Sequence, residues 1–100
     1  MAEATVIIPH VHLNGTSRDE LLEQISNALA TLRDADAALA RMTPNDRDYY
    51  PISADAGRQA REQHAKRRRM LAEISNELSA IGEGIADQPG NRNRLSGARP

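Results

Sequence analysis

Apolar residues recur along this chain at alternating steps of four and three. Leu21, Ile25, Ala28, Leu32, Ala35, Leu39 and Met42 form one series; Ala60, His64, Arg67, Leu71, Ile74, Leu78, Ile81 and Ile85 form a second. Such steps keep one stripe of a helix turned toward one partner. They predict an all-α fold: a long antiparallel hairpin of a helix over about 17–42 and another over about 55–86. The second series is interrupted. His64 and Arg67 stand where a purely structural seam carries Leu or Ala, so they mark the first place to look for function.

The polar residues between the two series set the boundaries. Asn14-Gly15 is a turn signal, and Ser17-Arg18-Asp19-Glu20 matches a capping box, in which Ser17 and Glu20 satisfy free backbone donors at the helix start. Thr43-Pro44 stops helix 1, because a proline disfavours helical backbone in the residue before it. A loop over 43–54 follows, and Gln88-Pro89-Gly90 ends helix 2, whose last turns are weakened by Gly82 and Gly84. Residues 1–13 read as an extended, β-branched arm, 14–87 as the hairpin and 88–100 as a flexible tail. The arm contains Pro9, and the chain offers it no second strand. Its backbone therefore needs either another protomer or a groove between helices.

Composition strengthens the case for assembly. The apolar fraction is 39%, much of it alanine, with no Phe and no Trp. Such a core is thin for a free monomer. Leu22, Leu29, Ala38 and Met70 add a second, narrower stripe. Pairing it with another hairpin gives a four-helix bundle, as a homodimer or a larger ring. No disulfide or thiol chemistry is available without Cys, and no apolar run approaches a membrane span. Glu3 occupies the region where a secretory leader carries cations. A cytoplasmic protein with no membrane partner is expected, in the host cytoplasm if the protein is viral.

Net charge is −1 but unevenly spread. Arg58, Arg61, Lys66, Arg67, Arg68 and Arg69 lie within a stretch whose only acid is Glu62, whereas helix 1 is acid-rich and carries several alanines. Two readings stand for this block. It is either a solvated face paired with Asp34 and Asp36, or an anion site facing small residues. Tyr49 and Tyr50, the only aromatics, sit together in Asp46-Arg47-Asp48-Tyr49-Tyr50-Pro51. They either plug the end of the hairpin or stack on a base; Tyr49 packing while Tyr50 faces out satisfies both readings. Thr16 and Ser17 offer hydroxyls at a helix N-terminus, which suits either a cap or a phosphate. His10-x-His12 puts two imidazoles on one side of the arm, but no further ligands accompany them, so no metal is expected. No nucleophile is spaced with a base, so no catalytic residue and no cofactor are expected.

The stretches His12-Leu13-Asn14-Gly15-Thr16-Ser17 and Arg47-Asp48-Tyr49-Tyr50-Pro51 resemble those of small helical phage and prophage accessory proteins. That resemblance implies a viral accessory protein, and by analogy with oligomeric phage sponges it admits the sequestration of a cyclic-nucleotide immune signal. The resulting expectation is a non-catalytic binder of a small phosphorylated ligand. Arg47, Arg61, His64, Arg67 and Arg68 would hold phosphates, Tyr49 or Tyr50 would stack, and Thr16 and Ser17 would donate across a protomer boundary. Two alternatives stand beside it. One is a protein-binding inhibitor of host defence or a virion assembly factor, with a host or virion protein as partner. The other is a nucleic-acid binder, disfavoured by the acidic helix 1.

Overall fold

The structure is a computed structural model that describes residues 5–89. Two α-helices, α1 (Arg18–Arg41) and α2 (Ala56–Ala86), are joined through a short 3-10 turn at Asp46–Asp48; no strand occurs among the described residues. The helices fall within about one residue of the predicted bounds. They are shared between two compact units. Among the described residues the first takes in 5–30 and 76–89, and the second is Thr31–Ser75.

In the first unit the N-terminal arm and the start of α1 meet the end of α2. Ser17 caps α1, its Oγ accepting the Glu20 N–H at 3.1 Å. The arm forms no strand, contrary to its β-branched composition. Its backbone is paired by a side chain instead: the Val11 N–H donates to Gln88 Oε1 at 2.9 Å, and Gln88 Nε2 donates to the Pro9 carbonyl at 2.6 Å. One carboxamide thus supplies the acceptor and the donor that a neighbouring strand would offer. Of the two partners expected for the arm, another protomer or a groove between helices, these two bonds need no second protomer. Val11 is buried, and Ile8 lies directly over Gly84, where an added Cβ would sit 2.8–2.9 Å from three Ile8 carbons. Gly84 is therefore the seat of the arm rather than merely a weak spot in α2. Gln88 is half-buried and structural, which corrects its assignment to a flexible tail; residues 1–4 and 90–100 of the predicted arm and tail lie outside the described residues.

Arg18 completes this unit. It is only 9% exposed, and its guanidinium donates to the carbonyls of Ile85 and Ala86, each at 2.8 Å, and to that of Gln88. The last carbonyls of a helix have no partner within it, and a cation there also meets the negative end of the helix dipole. Arg18 therefore serves as the C-terminal cap of α2. Beside it Ile85 is fully buried.

The second unit is a helical hairpin in its own right. α1 ends as predicted: the Met42 N–H reaches the Leu39 carbonyl, and Thr43 Oγ1 donates to the Ala40 carbonyl at 2.7 Å. The seam of α2 departs from the predicted series by one residue. Arg68 and Ser75 are half-buried, whereas Arg67 is exposed and Ile74 is 46% exposed. His64 and Leu71 keep their places. The two exchanged positions follow the 3.6-residue period of a straight α-helix instead of a strict 3.5. At the first of them Arg68 Nε and Nη2 donate to the two oxygens of Asp36 at 2.8 and 2.9 Å.

Candidate functional site

The loop in the second unit is built around Asp46. Its carbonyl accepts the N–H groups of Tyr49 and Tyr50, and its carboxylate is ion-paired with Arg61. Asp46 also lies against Gly57, which is buried at the start of α2; a Cβ on Gly57 would fall 2.2 Å from Asp46 Oδ1 and 3.4 Å from its Cα. A side chain at this position would have to push the Asp46 carboxylate aside. Tyr49 is half-buried, and Tyr50 is 69% exposed, which is the arrangement in which one tyrosine packs and the other faces out.

The structure sorts the basic block into paired and unpaired members. Arg58 bridges Asp55 and Glu62, each at 2.6 Å. Hydrogen bonds from Arg58 and then Gln59 hold the Asp55 carboxyl below the ordinary carboxylate range, and those from Asp55 and then Glu62 push Arg58 up. The Arg68 hydrogen bonds likewise lower Asp36, and Asp36 raises Arg68. Arg61 is occupied by Asp46. Arg47, Lys66, Arg67 and Arg69 are exposed and form no ion pair among the described residues.

His64 is 4% exposed, and its Nε2 lies 2.6 Å from the Leu39 carbonyl oxygen. It caps the end of α1 and is not turned toward solvent. The expectation that His64 and Arg67 act together is corrected: one is sealed inside the hairpin and the other is on its surface. Thr16 and Ser17 belong to the first unit, whereas every other candidate belongs to the second. Ser17 Oγ is engaged in the cap. His10 and His12 stack with ring centroids 6.2 Å apart, and His12 Nδ1 accepts the Asn14 N–H at 3.3 Å, so the pair shapes the turn into α1. Among the described residues, no three potential metal ligands converge and no helix is long and apolar enough to cross a membrane.

Arg18, Gln88 and Gly57 are important residues that pattern reading passed over. Arg18 had a signal, since it lies one heptad before Ile25 on the α1 stripe. Gly57 likewise lies one heptad before His64. Gln88 had none, because its role depends on an arm distant in sequence. The chain matches no known protein-family model, no curated protein and no solved structure.

Proposed function

We propose that this chain is a non-catalytic, phage-type accessory protein that binds a small phosphorylated ligand and sequesters it, with a cyclic-nucleotide immune signal as the ligand class. The observation carrying this reading is the sorting of the basic block. Arg58, Arg61 and Arg68 are spent on carboxylates, while Arg47 and Arg67 remain exposed and unpaired in the unit that exposes Tyr50. Unpaired guanidiniums suit bidentate phosphate contacts, and an exposed tyrosine ring suits stacking on a base. Arg61, Arg68 and His64 then act as supports that hold the loop and helices in place. Calorimetry against cyclic di- and trinucleotides is expected to show a binding event that Arg67→Ala removes; silence across the panel would sink the reading.

Assembly belongs to the same proposal. Val11 and Ile85 are the only buried apolar side chains among the described residues, while Ile7, Leu13, Met42, Ile52, Met70 and Ile74 are exposed. So much exposed apolar surface beside so small a core supports a homo-oligomeric helical bundle. Light scattering that returns the 11.0 kDa monomer mass would count against it. The same apolar surface favours the second reading, an inhibitor or assembly factor docked on a host or virion protein. A stoichiometric protein captured from infected lysate, with no small molecule released on heating, would support that reading instead.

A further inference from the structure

A groove of about 630 Å³ opens between α1 and α2 within the second unit. Leu32 and Leu71, both half-buried, line it together with alanines from both helices. Asp36 and Arg68 also line it, joined as the ion pair described above. So do Arg33 of α1 and Arg69 of α2, which are exposed and form no ion pair among the described residues. The volume falls in the range of small-molecule sites.

We infer that this groove binds a nucleoside diphosphate, with Arg33 and Arg69 clamping the diphosphate from the two helices and the base lying over Leu32 and Leu71. The seat does not use Arg47, Tyr50 or Arg67 and does not depend on them. Three guanidiniums against one carboxylate leave the lining with an excess of two positive charges (3 − 1). A diphosphate carries more than enough negative charge to meet that excess, and arginine meets phosphate oxygens in pairs. An apolar partner helix would instead bury both cations without compensation, which is costly. The Asp36–Arg68 pair adds discrimination. Arg68 spends only Nε and Nη2 on Asp36, so Nη1 remains to donate, and each Asp36 oxygen retains accepting capacity. A donor beside an acceptor suits the edge of a base.

The test uses the full chain carrying Arg67→Ala and Tyr50→Ala, so that the side chains invoked for the proposed function are disabled. Titration with ADP and GDP is expected to give one binding event per chain, inorganic pyrophosphate a weaker one and adenosine none. Adding Arg33→Gln and Arg69→Gln, which keep a polar helix-forming side chain but remove the charge and the forked donors, is expected to weaken binding about a hundredfold while the melting midpoint stays in place. No event with ADP or GDP, or an event insensitive to the two Gln substitutions, would overturn the groove site. Neither result bears on the proposed function, which is read from the event lost between the native chain and the Arg67→Ala, Tyr50→Ala background.

Discussion

The imidazole of His64 lies 2.6 Å from the carbonyl oxygen of Leu39, on the last turns of the opposing helix. Arg18 does the same work in the other unit, meeting the carbonyls of Ile85 and Ala86. In both cases a basic side chain from the N-terminal part of one helix donates to carbonyls at the C-terminal end of the other. These two caps are the only buried basic side chains among the described residues, and both are structural.

Removing His64 takes one of two donors from the Leu39 carbonyl and empties a buried position. His64→Ala is expected to cost on the order of 1–3 kcal/mol in chemical denaturation, whereas His64→Gln, whose amide can still donate, should recover part of the loss. A cost in the Ala variant within the scatter of surface substitutions would rule out the capping role.

Arg18→Ala should be more damaging, by roughly 2–4 kcal/mol, because a charged donor serving three carbonyls is lost. The damage should concentrate in the first unit. Hydrogen exchange would then rise at residues 83–88 and in the arm before it rises in the loop around Asp46.

The glycines of α2 predict opposite outcomes for one substitution. At Gly82 an added Cβ would stand 3.6 Å from Ile25, an ordinary contact, so Gly82→Ala should stabilise by up to about 1 kcal/mol through helix propensity. Gly84→Ala drives a methyl into Ile8 and should release the arm, read as faster proteolysis before Asn14. Equal effects at the two positions would contradict the seating of Ile8.

Gly57→Ala should destabilise in spite of a propensity gain of about 1 kcal/mol, since the methyl displaces the Asp46 carboxylate from Arg61. The clash is local, so a double-mutant cycle with Asp46→Ala should show positive coupling, the second change relieving the first.

Acid should loosen the second unit. Asp36 and Asp55 titrate below the ordinary carboxylate range because Arg68 and Arg58 hydrogen-bond their charged forms. A depressed folded pKa gives stability that is present above the unfolded value near pH ~4 and is lost as pH falls through the folded value. Asp36→Asn should therefore differ from the native chain at pH 7 and converge with it near pH 2, as followed by circular dichroism melts; a pH-independent difference would refute the linkage.

The helices, their ends and the loop were legible in the residues because they depend on local signals: a period near 3.5, the Ser17 cap, and the Thr43-Pro44 and Gln88-Pro89 breaks. The fates of the basic residues were legible only in part. Pairing of the block with Asp36 follows from antiparallel packing, and the split between Tyr49 and Tyr50 was one of the arrangements left open. Arg67 and Arg68 are neighbours on one helix, however, and the small difference between a period of 3.5 and one of 3.6 decides which of them faces α1. Apolar periodicity cannot decide between them when the competing positions are Arg beside Arg and Ile beside Ser.

By itself the sequence determined two amphipathic helices, a capped entry, a proline-bounded loop and a chain too poor in large apolar residues to bury much of itself. These are properties of spacing and composition that each segment carries alone. Only the tertiary structure decided that Arg18 and His64 cap opposing helices, that Gln88 stands in for a strand, that Gly57 and Gly84 are seats for Asp46 and Ile8, and which cations remain free. Each of those facts depends on a distance between residues far apart in the chain. Such distances are set by how the helices rotate and how closely they approach, and no local pattern encodes that.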